Sequence, residues 1–331
     1  MKILIDSAIP YIKGVFEPYA EVVYLDGKAF KAQDVASADA LIIRTRTRCD
    51  ESLLKNSQVK IISTATIGFD HIDLDYCASH GIQVTTAQGC NAAGVLQWVA
   101  ASLVHLSRKQ GWKPQGQTLG IVGVGHVGKL IEKYARMWGF NVLRCDPPRK
   151  QREGGDFITL EELLPASDIV TLHTPLDATT FHMINPKTIS LMKPHATLIN
   201  ASRGEVVQSQ ALLNASQTLA LDVWEGEPDI NRLVLEKSTI STPHIAGYSA
   251  QGKANASKAV VEAVSSYFKL PIADWYPPQV EPTVRKDITW EEVCQTIDKF
   301  CDIERESEWL RSSADDFESL RNNYDYRQEY F

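Results

Sequence analysis

The chain has 331 residues, 44% hydrophobic and 23% charged, with 19 Gly and 15 Pro; this is enough for about two domains, and it excludes disordered, collagen-like, low-complexity and coiled-coil classes. A formal charge of −7 argues against non-specific attachment to nucleic acid or to an anionic membrane. The surplus is local: from Glu281 to Phe331, 14 acids meet 7 bases, so residues 1–280 balance at 27 against 27 and the tail reads as a separate unit.

Short β-branched runs at Lys2 to Asp6, Glu21 to Leu25, Ala40 to Arg44 and Val59 to Thr64 predict the strands of a small α/β unit. The apolar run at the N-terminus is far too short for a signal peptide, and no later run approaches 18 residues, so no membrane span and a cytoplasmic location are expected. A helix is predicted from Asn91, its N-cap, with Val95, Trp98, Val99, Leu103 and Leu106 at helical spacing.

A second series follows. Strands are predicted at Thr118 to Gly123, Asn141 to Asp146, Asp168 to Leu172, Ala196 to Asn200 and Thr218 to Asp222. Helices alternate with them, at His126 to Trp138, near Leu160 to Leu164, after Pro186 and around Gln208 to Ala215. That alternation predicts a doubly wound parallel sheet. Thr159-x-x-Glu162 is a capping box, and Pro186 suits a first helical turn. A last helix from about Ala250 to Lys269 precedes Pro271, Pro277, Pro278 and Pro282, which mark a linker. The six cysteines, Cys49, Cys77, Cys90, Cys145, Cys294 and Cys301, lack zinc-ligand spacing, so neither a metal site nor a disulfide framework is expected.

Gly123-Val-Gly125-His-Val-Gly128 follows an apolar strand and opens a helix, and Asp146 ends the next strand 18 residues after Gly128. The first Gly permits the turn, the second lets backbone N–H groups approach a pyrophosphate, and the third lets helix and strand pack. Asp146 suits ribose hydroxyls and repels a 2′-phosphate, so NAD is the expected cofactor, with nearby Arg149 leaving NADP open. Three further clusters lie at or after the ends of predicted strands: Asn200-Ala-Ser-Arg203-Gly204, Asp222-Val-Trp-Glu225-Gly-Glu227-Pro228 and Pro243-His244-Ile-Ala-Gly-Tyr248. In such a sheet they converge on the ligand crevice. An arginine there grips a carboxylate, a histidine exchanges a proton, and a carboxylate behind it orients the ring.

The order of these motifs resembles the D-isomer-specific 2-hydroxyacid dehydrogenases. Gly89-Cys90-Asn91-Ala92, Cys145-Asp146-Pro147-Pro148-Arg149, His244-Ile-Ala-Gly-Tyr248 and the segment Asp316 to Tyr324 resemble a branch of that family whose substrate is a phosphorylated 2-hydroxy acid. The resemblance implies catalytic roles for Arg203, Glu227 and His244, with Glu225 structural. It implies NAD contacts at His126, Val127, Asp146, Thr174, the Ala201, Ser202 and Arg203 backbone, Asp222 and Gly247, beside Gly123, Gly125 and Gly128. Substrate falls to Thr45, Thr66 and Tyr248.

A phosphate also needs a cation. Arg44, Arg46 and Arg48 share one face if the strand continues and diverge if it turns; Arg44 is the preferred candidate. The implied domains are 1–92 with 251–269 for substrate, 93–250 as the Rossmann NAD domain, and 270–331 as a C-terminal α+β dimerisation segment of a homodimer. The tail carries 8 aromatics in 51 residues, and Trp290, Val293, Ile297, Phe300 and Cys301 form the apolar stripe that dimerisation needs. A phosphoglycerate or glycerate dehydrogenase shares the catalytic set, but Tyr248 and Asp146-Pro-Pro-Arg149 argue against it; an NAD-sensing corepressor needs peptide-binding surfaces that the sequence does not show.

Overall fold

The structure is a computed structural model that describes residues 1–331. The chain forms two compact units, Met1–Asn91 with Ala250–Pro282, and Ala92–Ser249 with Thr283–Phe331.

The first unit is built on a five-stranded parallel sheet of β1 (Lys2–Asp6), β2 (Glu21–Leu25), β3 (Ala40–Ile43), β4 (Ile61–Thr64) and β5 (Gln83–Thr86), in the order β2-β1-β3-β4-β5. β3 and β4 are buried along their whole length, as continuous apolar runs in a covered parallel sheet require. On one face lies the helix Ala250–Phe268, whose Val260, Val261 and Val264 pack against Ile3, Ile5, Ile42 and Ile61. Each such valine contributes about 1.5–3 kcal/mol by burial. The proline-rich stretch after this helix is packed: Leu270, Ile272 and Trp275 lie against the same core, and Val280 and Tyr276 against Ala250 and Ala254. Proline blocks regular structure there but leaves the apolar side chains free to bury, so the expected linker is part of the unit.

The second unit holds six parallel strands, β6 (Thr118–Val122), β7 (Asn141–Cys145), β8 (Ile169–Leu172), β9 (Thr197–Asn200), β10 (Thr218–Leu221) and β11 (Ile240–Ser241), in the order β11-β10-β9-β8-β6-β7. β6 leads to β7 on one side and pairs β8 on the other, so the crevice outside the carboxyl ends of β6 and β8 is the topological switch point. Strand ends fall slightly short of the sequence expectation where a side chain caps instead. Asp146, expected to end a strand, is the N-cap of the helix Pro147–Glu153 and accepts from the Arg149 N–H at 2.9 Å. The Thr159 capping box is present in both directions. Asn91, expected as an N-cap, has a buried Oδ1 with no partner.

Residues 283–331 do not stand apart, and they contribute no strand of their own. They add the helices Trp290–Thr296, Ile303–Ser312 and Phe317–Asn322, plus one isolated bridge from Arg327 to Ser249. The apolar stripe of Trp290, Val293, Ile297 and Cys301 packs within its own chain, in the core that includes Trp98, Leu103, Tyr134, Trp138 and Phe140. Trp290 stacks on Trp112 at 6.4 Å between ring centroids. The helix Ala92–Gln110 is buried on nearly every side, and this stripe covers part of it. The stripe is therefore spent inside the subunit, because an all-round apolar helix needs a cover that the sheet alone does not supply.

Candidate active site

At the switch point of the second unit the chain leaves β6 through Gly123, whose φ of +85° places it in the left-handed region. A Cβ there would also stand 2.6 Å from the His173 carbonyl oxygen and 2.9 Å from the Thr174 nitrogen. Only glycine lets the two strand ends meet this closely. A Cβ on Gly128 would reach 2.1 Å from the Gly123 oxygen, while Gly125 is exposed with open space around it. Gly128→Ala therefore pushes the helix His126–Trp138 off its loop. We expect a loss of about 1–3 kcal/mol together with weakened NAD binding, read by thermal unfolding and by quenching of protein fluorescence; wild-type values in both would contradict the packing argument.

The residues around this turn fit a dinucleotide. Thr174 Oγ1 is buried with no hydrogen-bond partner. Asp146 sits half-buried at the end of β7, with one carboxylate oxygen accepting from Val124 N at 2.8 Å, so the carboxylate is fixed against the glycine loop. Arg149 is engaged elsewhere, donating to the Val124 carbonyl at 2.9 Å and to Glu153 at 3.0 Å. That leaves no positioned guanidinium for a 2′-phosphate and agrees with NAD. His126 is exposed and Val127 half-buried at the helix start.

Three loops at the strand ends hold the other candidate residues. After β9, Asn200 accepts from Ser202 N and Oγ at 3.1 and 2.8 Å and donates to the Arg203 carbonyl at 2.9 Å, fixing the turn through Ala201. Arg203 Nη1 donates to the Ser202 carbonyl at 2.7 Å. Gly204 follows because a Cβ there would stand 2.0 Å from the Trp224 oxygen, so the β9 loop lies directly on the loop that holds Glu227.

After β10, Asp222 is fully buried. It accepts from Thr242 Oγ1 at 2.6 Å and from the N–H groups of Ile245 and Ala246 at 2.8 and 2.9 Å, while its carbonyl accepts from His244 N at 2.7 Å. The Asp222 side chain thus shapes the His244 loop, which runs on to half-buried Gly247, and holds His244 at φ +58°.

An imidazole–carboxylate pair is formed here. His244 Nδ1 and Glu227 Oε2 are 2.7 Å apart, and Glu227 Oε1 accepts from Trp224 N at 2.8 Å. Burial favours the neutral form of Glu227, but the His244 charge and hydrogen bond, the Trp224 N–H and the Arg321 guanidinium outweigh it and hold the carboxyl below its ordinary range. An ionised carboxylate only accepts, so Nδ1 carries a proton towards it and Nε2 is the ring nitrogen left to exchange one. Glu225, by contrast, accepts from Ser209 N at 2.8 Å and pairs with His182, a structural role.

The first unit presents its own carboxyl edge. β3 ends at Ile43 and the chain turns, with Thr47 N donating to the Arg44 carbonyl at 3.2 Å. The three arginines therefore do not share a face. Arg44 Nε lies 3.1 Å from Asp6 Oδ2, whose side chain is fully buried at the β1/β3 switch point, so much of the Arg44 charge balances Asp6. Arg48 pairs with Asp50 at 2.7 Å. Thr45 is exposed in the turn, and Thr66 Oγ1 bonds Thr64 Oγ1 at 2.6 Å and the Gly68 carbonyl at 2.9 Å.

Two arginines of the tail, which no sequence motif marks individually, reach the His244 loop. Arg321 Nε donates to Tyr248 Oη at 3.1 Å, and its Nη1 stands 4.0 Å from Glu227 Oε2. Arg327 is buried; it donates to the carbonyls of Ile245 at 3.1 Å, Gly94 at 3.3 Å and Ala246. Nothing in their spacing marks them, because each is a lone cation in an acidic stretch that acts across more than 70 residues.

A glycine turn at a switch point, with an oriented imidazole and an arginine along the same sheet edge, is equipped to accept a proton and direct hydride to a nicotinamide. Residues 91–246 match the family described as D-isomer specific 2-hydroxyacid dehydrogenase, NAD binding domain, and the chain is an NAD-dependent oxidoreductase of that class. It is 44% identical to the erythronate-4-phosphate dehydrogenase of Bacteroides fragilis, over 99% of this chain and 97% of that one. It is 38% identical to the erythronate-4-phosphate dehydrogenase of Shigella flexneri, over 100% and 92%. The D-lactate dehydrogenase of Aquifex aeolicus, solved with NAD and lactic acid, superposes with a TM-score of 0.67 at 27% identity, covering 81% of this chain and 95% of that one. The chain belongs to the erythronate-4-phosphate dehydrogenase family.

Proposed function

We propose that the chain oxidises 4-phospho-D-erythronate to (R)-3-hydroxy-2-oxo-4-phosphooxybutanoate with NAD as hydride acceptor, a step in pyridoxal 5′-phosphate synthesis. The observation that carries this reading is the 2.7 Å contact between His244 Nδ1 and Glu227 Oε2, in a chain whose relatives bear that enzyme's name over nearly their full length. His244 Nε2 takes the proton of the substrate 2-hydroxyl, and Glu227 stabilises the imidazolium that results. Arg203 grips the 1-carboxylate and polarises the forming carbonyl. Bound NAD supplies the carbon that receives hydride from C2. It is held by Gly123, Gly125, His126, Val127, Gly128, Asp146 and Thr174, by the Ala201, Ser202 and Arg203 backbone, and by Asp222 and Gly247. Thr45, Thr66 and Tyr248 contact the substrate, with Arg44 adding a charge that it shares with Asp6.

The working form in this reading is a homodimer in the cytoplasm. No helix of the chain is long and apolar enough to cross a membrane. Because the tail's main apolar stripe is covered within the subunit, the dimer contact uses other faces. Light scattering across a hundredfold dilution is expected to give twice the chain mass, and a constant monomer mass would refute the dimer. The substrate is tested with purified protein, NAD and a panel of 4-phospho-D-erythronate, 3-phosphoglycerate and D-glycerate. Turnover is expected to favour the first by more than tenfold in kcat/KM; preference for either of the others replaces this reading with a different hydroxyacid dehydrogenase.

A further inference from the structure

Oxidation of a phosphorylated acid leaves a charge to be met. The substrate carries one negative charge on its carboxylate and about −1.5 to −2 on its phosphate near neutral pH. Against this, Arg203 supplies one cation, Arg44 is largely spent on Asp6, and Glu227 is itself anionic. A further cation is needed on the His244 side, and Arg321 stands there.

Arg321 lies in the helix Phe317–Asn322, with a side chain 32% exposed. Its Nε bonds Tyr248 Oη at 3.1 Å, and its guanidinium carbon lies 5.9 Å from the Tyr248 ring centroid. The separation of 4.0 Å from Glu227 gives electrostatic contact but exceeds hydrogen-bond range. Nη1 and Nη2, which carry four of the five guanidinium N–H donors, make no hydrogen bond within the chain and are open to a ligand. They belong to a side chain already oriented through Nε, beside the proton-transfer pair. A planar fork of this kind matches two oxygens of a phosphomonoester.

We propose that Arg321, oriented by Tyr248, binds the substrate phosphate and makes the enzyme selective for phosphorylated over unphosphorylated 2-hydroxy acids. This rests on the phosphorylated-acid reading above. It gives the C-terminal segment a part in substrate recognition, in addition to its packing.

The test uses Arg321→Gln and Arg321→Lys in the full chain, with NAD affinity as the check that the second unit is folded. For Arg321→Gln, kcat/KM for 4-phospho-D-erythronate is expected to fall on the order of 100-fold, chiefly through KM. The loss on D-erythronate is expected to be at least tenfold smaller. Arg321→Lys, which keeps the charge but not the fork, is expected to lie between. In parallel, inorganic phosphate is titrated into the NAD-loaded protein by ³¹P NMR, where Arg321→Gln is expected to weaken binding at least tenfold. Equal losses on the two acids would make Arg321 a positioning residue for Glu227 and Tyr248 and overturn the proposal, as would an unchanged phosphate affinity. If the wild-type protein fails to oxidise 4-phospho-D-erythronate, the functional reading falls alone, since the phosphate titration still decides the role of Arg321.

Discussion

Arg327→Ala is expected to destabilise the second unit by about 3–5 kcal/mol, the usual consequence of removing one partner from a buried ionic network. Arg327 donates to Tyr324 Oη at 3.0 Å and stands 3.8 Å from Glu306 Oε1, which also accepts from Tyr324. Truncation leaves the Glu306 carboxylate without its counter-charge and takes one donor from each of three carbonyls. Burial already pushes the Glu306 carboxyl above its ordinary range, with Arg327 pulling it down, so loss of Arg327 raises it further. A carboxyl whose folded pKa exceeds its unfolded value binds more protons in the folded state, and stability falls as pH climbs through that interval. The deficit of Arg327→Ala is thus expected to be larger at pH 8 than at pH 5. Calorimetry at the two pH values checks this; an equal deficit at both would remove the unpaired carboxylate as its cause. Activity should fall as well, even well below the melting temperature, because two of the carbonyls that lose this donor, Ile245 and Ala246, follow His244 in its loop.

His244→Gln is expected to lower kcat by a factor of about 10²–10⁴, the range ascribed to a positioned general base, with NAD affinity nearly unchanged. The amide fills a similar volume beside Glu227 but offers no proton acceptor of comparable basicity to the hydroxyl. Glu227→Gln is expected to cost less, since the ring keeps a hydrogen-bond partner and loses only the compensating charge. Steady-state rates with saturating NAD read both, and wild-type turnover by His244→Gln would assign the proton transfer to another group. The pairing also carries a sign in pH. Glu227 is held below the ordinary carboxylate range by His244, Trp224 and Arg321 against its burial, so orientation of the ring is lost only once acid protonates Glu227 well under that range.

The second unit was legible to the extent that its signals are local. Gly123 and Gly128 mark the switch point because a backbone turn and a close approach leave no other residue type possible, and β6, β8, β9 and β10 show as apolar runs because a covered parallel sheet buries both faces. Glu227 was told from Glu225 only by the family resemblance, which matches the glutamate beside Pro228, and the structure gives the two carboxylates separate partners, His244 and His182. The tail was harder. Its stripe of Trp290, Val293 and Ile297 reads correctly as a helix face seeking a cover, but periodicity says only that the face is apolar and not whose surface it meets. The fate of Arg44 was equally hidden, since the carboxylate that engages it lies 38 residues away on another strand. Arg321 and Arg327 act through three-dimensional proximity alone, which no spacing rule captures.

The near-complete burial of the helix Ala92–Gln110 has a consequence for the order in which the protein is made. Gln97 on this helix donates to the carbonyl of Gln328, 231 residues later, and Gly94 accepts from Arg327. At roughly 5–20 residues per second of synthesis, the helix emerges some 10–50 s before its last covering segment exists. During that interval Val95, Trp98, Val99 and Leu103 can find only part of their final neighbours. The nascent chain thus presents an apolar helix to the cell for seconds at a time, and holding that surface out of reach of other chains is a task for a chaperone rather than for the sequence itself.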